Sequence, residues 1–173
     1  GRFHRYSEVS RRFMGILADF TPDLEPLGLD EAYLDMTGFE LMYGPPADVA
    51  RRIRERIRAE LRVTASVGIA SSKVVAKVAS DDCKPDGLLE VPPGREAAFL
   101  APLEVRKLPG VGPKTEQVLG RLGVRTIGDL AALPEPVLRH HLGVMGEALR
   151  RCARGEDLGQ VHPPEPPRSI SRE

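Results

Sequence analysis

Cysteine, net charge and long apolar runs are all scarce in this sequence, and each shortage narrows what it can be. Only Cys83 and Cys152 occur in 173 residues, 69 positions apart. They make neither a disulfide framework nor a CxxC metal pair, so a reduced intracellular compartment is the expectation. Lys and Arg total 25 and Asp and Glu also total 25, for a net charge of zero. No bulk basic field announces a nucleic-acid partner, and any such contact must come from local patches. No apolar stretch approaches the roughly 18 residues of a membrane span, and no signal-peptide pattern opens the chain. Hydrophobic residues at 41% and charged residues at 29% are globular averages, which disfavour disorder and fibres. The length suits two small domains. The first residue is Gly1 rather than Met, which fits a processed product or a piece of something longer.

The first 100 residues alternate between helical and strand-like patterns. Val9, Phe13, Ile16, Leu17 and Phe20 predict a helix over residues 7–20 with Ser7 as its N-cap. Residues 26–36 read as a strand or hairpin arm, with Leu27 and Leu29 on one face and Ala32, Leu34 and Met36 on the other. Pro45-Pro46 introduces a helix in which Val49, Ile53, Ile57 and Leu61 recur every four residues; its arginine-rich side reads as a solvated face. A buried strand over residues 63–70 follows, then a helix capped by Ser71 or Ser72 and carrying Val74, Val75, Val78 and Ala79. Lys84-Pro85-Asp86-Gly87 makes a turn and residues 88–91 a further strand. The alternation predicts a helix-covered sheet, though three short strands are few for a free-standing one.

After Pro92-Pro93-Gly94 only short helical stripes occur. They are Val118, Leu119 and Leu122; Ile127, Leu130 and Leu133; Val137, Leu138 and Leu142; and Ala148, Leu149 and Cys152, with Gly and Pro at the junctions. His162-Pro163-Pro164-Glu165-Pro166-Pro167 reads as an extended linker, and Arg168-Ser169-Ile170-Ser171 as the opening of another element.

Three stretches carry candidate chemistry. In Leu108-Pro109-Gly110-Val111-Gly112-Pro113-Lys114-Thr115, two glycines ahead of a helix let backbone approach closely and leave free N–H groups where a phosphate fits. With Leu122-Gly123-Val124 and a helix near residues 126–133, the pattern is that of a helix-hairpin-helix, which grips the DNA backbone without reading bases. An ordinary αα turn is the competing reading. In Gly28-Leu29-Asp30-Glu31-Ala32-Tyr33-Leu34-Asp35, carboxylates inside an apolar strand need a cation, a basic partner or exposure, and magnesium suits oxygen ligands that also meet phosphates. Neighbours on a regular strand face opposite ways, so one site can use both Asp30 and Glu31 only at a bend or a strand end. Alone, such a doublet is more often an exposed turn than a metal site. Finally, the chain's five lysines, Lys73, Lys77, Lys84, Lys107 and Lys114, share one 42-residue window. Lysine binds phosphate as a mobile point charge, although Lys77 and Lys107 could as well lie on solvated faces. The histidines form no ligand set, and Cys83 reads as a structural cysteine.

In order and spacing these motifs resemble the Y-family, or translesion, DNA polymerases. PLGLDEAYLDMTG is similar to the family's palm motif, with Gly28-Leu29 where Ser-Ile is usual. ASVGIASSKVVAKVASDDCKPDGLLEV is similar to its second palm signature, and VRKLPGVGPKTEQVLGRLGVRTIGDLAAL to the helix-hairpin-helix of its thumb. The resemblance implies an α+β fold: part of a palm over residues 1–94, an all-helical thumb over 95–161, and a linker with the start of a little-finger domain over 162–173. It implies that Asp30 and Glu31 are catalytic and bind magnesium, and that Lys84 reaches the triphosphate. Gly110, Gly112, Lys114 and Lys73 would contact DNA. The implied partners are primer-template DNA, a deoxynucleoside triphosphate and a sliding clamp, in the cytoplasm at the nucleoid and away from membranes. The family's first palm strand, with its other metal-binding aspartate, and its fingers have no counterpart before Tyr6, so the chain alone is expected to be inactive. A non-catalytic DNA-binding module is the alternative from another class; a third is a poorly folded piece with an open sheet edge.

Overall fold

The computed structural model describes residues 2–157 and 159–164, with Phe3 in its backbone only. The element expected at residues 168–171, and the linker from residue 165 on, lie outside the described residues. In order the elements are α1 (Arg2–Ala18), β1 (Leu24–Pro26), β2 (Ala32–Leu34), α2 (Glu40–Tyr43), α3 (Pro46–Leu61), β3 (Val67–Ile69), α4 (Lys73–Asp82), β4 (Leu88–Glu90) and α5 (Glu96–Leu100). After a 3-10 turn (Val105–Lys107) come α6 (Pro113–Arg121), α7 (Ile127–Ala132), α8 (Glu135–Leu142) and α9 (Val144–Ala153). Packing divides them into two units, Gly1–Thr64 with the described residues from Gln160 on, and Ala65–Gly159. No helix of the described residues is long and apolar enough to cross a membrane.

The first unit is built on α1 against α3. Ile16 and Leu17 are buried on α1, with Phe20 just beyond its end, and Val49, Ala50, Ile53 and Ile57 on α3, which is the burial the four-residue spacing predicts. The Arg56 guanidinium lies 5.8 Å from the Phe20 ring centroid and pairs with Asp19 at 3.0 Å and Glu60 at 2.9 Å. Helix α1 begins at Arg2, five residues before the expected start, and Ser7 lies inside it. Nothing between Arg2 and Ser7 breaks a helix, and a residue that favours a cap does not enforce one.

A hairpin follows, pairing Leu24 with Leu34, Glu25 with Tyr33 and Pro26 with Ala32. The strand expected over residues 26–36 is therefore split. Pro26, without an N–H to donate, is the last residue of β1, and Leu27 and Leu29 are exposed in the connection rather than facing a core. The base of the hairpin is tied by Thr21, whose buried hydroxyl donates to the Asp35 carbonyl at 2.9 Å and accepts the Asp23 N–H at 3.1 Å.

In the second unit β3 and β4 are parallel, Val67 opposite Leu88 and Ile69 opposite Glu90, with α4 as the crossover between them. The single helix-covered sheet expected from the pattern is corrected to two two-stranded sheets among the described residues. The strand expected from residue 63 is shorter because Arg62 closes α3 in the left-handed conformation, φ 57°, and ladder pairing resumes only at Val67. Ser72 caps α4 as expected, its Oγ accepting the Val75 N–H at 3.4 Å. A second cap comes from far along the chain: Asp157 Oδ2 accepts the Val74 N–H at 3.1 Å. The four stripes after residue 94 are α6 to α9. Val74, Val75, Val78, Ala79 and Val91 share one hydrophobic cluster with Leu100, Leu119, Ile127, Leu130, Leu138 and Leu149, so the core is continuous across residue 94.

Helix α7 starts in a reciprocal cap that the Thr-x-x-Asp spacing encodes. Thr126 Oγ1 accepts the Asp129 N–H at 3.0 Å, and Asp129 Oδ2 accepts the N–H groups of Thr126 at 2.9 Å and Arg125 at 3.0 Å. The Thr126 N–H, then the Arg125 N–H, hold the Asp129 carboxyl below its ordinary value of 3.8. A carboxyl lowered on folding stabilises above its unfolded pKa, and that stability disappears as pH falls through the folded one. Thermal unfolding of the chain and of Asp129→Asn should therefore differ at neutral pH and converge well below pH 3.8. A constant difference down the acid range would refute the role of the charge.

Candidate functional site

The connection between β1 and β2 solves the strand problem raised by adjacent carboxylates. Residues 28–30 form a bend, and Glu31 precedes the first paired residue of β2. The loop is closed by the Leu27 N–H donating to the Glu31 carbonyl at 2.9 Å. Neither carboxylate lies within the ladder, so the strict alternation of a strand does not separate them. Asp30 is exposed and Glu31 half-buried. On the far side of the hairpin, Asp35 turns back on its own chain. The Thr37 hydroxyl at 2.6 Å and the Thr37 N–H at 2.9 Å bond its Oδ1 and hold its carboxyl below the ordinary range. Asp35 is thereby a turn residue, committed to its neighbour. Among the described residues no group of three or more His, Cys, Asp or Glu gathers to hold an ion. Two carboxylates are, however, what magnesium commonly takes from a protein when phosphates and water complete its octahedron. The donor chemistry of Asp30 and Glu31 fits that ion.

The lysines belong to the second unit. Lys73 is the first residue of α4, beside the Ser72 cap. Lys84 follows the helix at the turn closed by a cis Lys84-Pro85 bond and the left-handed Asp86, φ 52°. Gly87 is required there, since a Cβ would stand 1.9 Å from the Cys83 carbonyl oxygen; its N–H donates to Ser66 Oγ at 3.2 Å. Lys84 Nζ lies 2.7 Å from Asp81, Lys77 Nζ 3.3 Å from the same carboxylate, and Lys107 Nζ 2.7 Å from Asp82. Burial raises the Asp81 pKa, but hydrogen bonds from Lys84 and Lys77 outweigh it and leave the carboxyl below its ordinary value. The sequence reading missed both aspartates. Their signal was present: carboxylates in the last turn of a helix oppose its dipole and need cations nearby.

The glycine-rich stretch is a tight turn between the 3-10 turn and α6. The Val111 N–H donates to the Leu108 carbonyl at 3.1 Å, with Pro109 and Gly110 (φ 94°) as the central residues, the chemistry of a type II turn. Gly112 is the N-cap of α6, extended at φ −87° and ψ 178°, with Pro113 as first helical residue. A Cβ on Gly112 would meet nothing within 4 Å. Lys114 is exposed, and a shallow depression lined by Pro113, Lys114, Glu116 and Gln117 lies beside it. The turn is braced from α9, because a Cβ at Gly110 would come 3.2 Å from Leu149 Cδ2. Asp30 and Glu31 are thus together by sequence in one unit, and Lys84, Lys73 and the hairpin residues in the other.

In sequence and fold the chain is similar to known proteins. Residues 1–81 match the impB/mucB/samB family and residues 106–157 the thumb domain of DNA polymerase iota. The chain is 52% identical over all 173 residues to DNA polymerase IV of Dehalococcoides mccartyi (strain CBDB1), covering 44% of that protein. It is 46% identical over 172 residues to DNA polymerase IV of Halorhodospira halophila, covering 99% of this chain and 48% of that one. The fold is similar to crystallised DinB from Sulfolobus solfataricus, with a TM-score of 0.81 and 28% identity over 90% of this chain and 46% of that one. An insertion ternary complex of Dbh DNA polymerase is equally similar, with a TM-score of 0.81. A palm-type α+β portion leading into a polymerase thumb is therefore the class of protein that the fold defines. The chain belongs to the Y-family of DNA polymerases and is DinB-like. It spans less than half the length of the curated relatives named here.

Proposed function

We propose that this chain supplies palm and thumb elements, residues 1–94 and 95–161, to a template-directed DNA polymerase that copies damaged templates. The reading is supported most by the bend at residues 28–30, which frees Asp30 and Glu31 from strand alternation in a sequence with DNA polymerase IV relatives. Asp30 and Glu31 are the residues that would hold magnesium, which when bound neutralises triphosphate charge and favours the ionised primer hydroxyl. The primer 3′-oxygen attacks the α-phosphorus of a deoxynucleoside triphosphate; the new P–O bond replaces the one to pyrophosphate, which leaves, and the hydroxyl proton passes to solvent or a base. Lys84 meets the triphosphate as a point charge. Gly110, Gly112, Lys114 and Lys73 hold the DNA backbone through N–H groups and ammonium charge. The setting is cytoplasmic, at the nucleoid, with a sliding clamp as a further partner. Primer extension with magnesium by a full-length polymerase carrying this sequence tests the reading, and absence of templated extension would overturn it.

The hairpin assignment has its own test on this chain. Gly112→Ala has room for its Cβ and an ordinary φ, so it should fold normally while weakening duplex binding where backbone meets phosphate. Lys114→Ala should weaken binding to all sequences alike and lower the salt slope of log K by about 1. Fluorescence anisotropy at several salt concentrations reads both, and unchanged affinity in both variants would make the hairpin merely structural.

A further inference from the structure

Resting on the triphosphate role proposed for Lys84, we infer that Lys77 is a reserve counter-ion: it holds Asp81 when Lys84 leaves, so that Lys84 can reach phosphate without stranding a carboxylate. Asp81 and Asp82 are the last two residues of α4, where the negative end of the helix dipole makes an uncompensated carboxylate unfavourable. Asp82 has Lys107 at 2.7 Å. Asp81 has two cations on different footings. Lys77 stands one turn earlier in the helix, its side chain 24% exposed, and its ammonium lies 3.3 Å from both Asp81 oxygens. Lys84 stands beyond the helix end, its side chain 51% exposed, 2.7 Å from Oδ1. The covered, helix-borne lysine is placed to stay and the exposed one to move. With a single lysine, every departure of Lys84 would leave Asp81 bare at a helix terminus. With two, the departure exchanges one ion pair for another that is already formed. Lys77 is accordingly a positioning residue, acting on phosphate recognition through Asp81 and Lys84.

A double-mutant cycle in a full-length polymerase carrying this sequence tests it. Lys77→Met should raise the KM for the incoming nucleotide about tenfold with kcat little changed, since the loss falls on binding and not on the reacting centre. Lys77→Arg should restore most of it. In the Asp81→Asn background, where no carboxylate is stranded, Lys77→Met should have no further effect. An equal KM for Lys77→Met and wild type, or additive effects of the two substitutions, would overturn the proposal. Lys84→Ala separates the failures: an unchanged KM there refutes the triphosphate role itself, whereas a raised KM beside an additive cycle refutes only the counter-ion. On the 173-residue chain, Lys77→Met should also slow acylation of Lys84, read by mass spectrometry, because Asp81 then holds Lys84 alone. An unchanged rate in a variant with native circular dichroism counts against the proposal.

Discussion

Replacing Gly68 with alanine is expected to destabilise the second unit by about 3 kcal/mol, near the top of the range for overpacking a well-filled site. Gly68 is the middle residue of β3, and a Cβ there would stand 2.1 Å from the Ala76 carbonyl oxygen and 2.5 Å from the Ser80 nitrogen. Both atoms are backbone of α4, so no side-chain rotation relieves the clash. The helix must lift off the strand, and with it go the contacts of Val75, Val78 and Ala79, all buried in the cluster shared with α5 to α9. Urea denaturation should show a lower midpoint at an unchanged slope. Gly120→Ala is the control: it lies in α6 with nothing within 4 Å of its would-be Cβ, and should stabilise by about 0.5–1 kcal/mol through helix propensity. Equal midpoints for Gly68→Ala and wild type would mean that α4 does not lie on β3 as described.

Asp30→Asn is expected to reduce primer extension about a thousandfold in a full-length polymerase carrying this sequence, a loss of about 4 kcal/mol of transition-state stabilisation. The substitution keeps size and removes charge, and magnesium is held through anionic oxygen. Because Asp30 is exposed at a bend and outside the strand ladder, stability and duplex affinity should change little, which a melting curve and anisotropy would establish. Asp35→Asn is the informative companion. It alters a carboxylate five residues further on that is engaged by Thr37, and it should leave extension within about threefold. Extension retained in Asp30→Asn would remove Asp30 from the chemistry, and equal losses in both variants would point to the hairpin's shape instead of its charge.

Much of this could be read without coordinates because it is local. Helix α3 follows from Pro45-Pro46 and a four-residue apolar spacing, α4 from Ser72 and its valines, and the turn at Gly110 from the dihedral demands of Pro-Gly. Other features depend on more than local preference. Ser7 favours a capping role, yet α1 runs through it, since propensity to cap is a preference that five ordinary preceding residues override. Leu27 and Leu29 looked like strand residues, but Pro26 ends the ladder and exposes both. Asp81 and Asp82 went unremarked because their importance lies in which lysines reach them.

By itself, then, the sequence determined helices α3, α4 and α6 to α9, the turn at Lys84-Pro85-Asp86-Gly87, the identity of the acidic doublet and its family, since each depends on residues within a few positions of one another. Only the tertiary structure decided the rest. It put the doublet at a bend where adjacent carboxylates are not forced to opposite faces, brought Asp157 back to cap α4 across 83 positions, and merged that helix and α5 to α9 into one core. Such outcomes turn on loop closure and side-chain packing between distant segments, and periodicity along the chain carries no record of them.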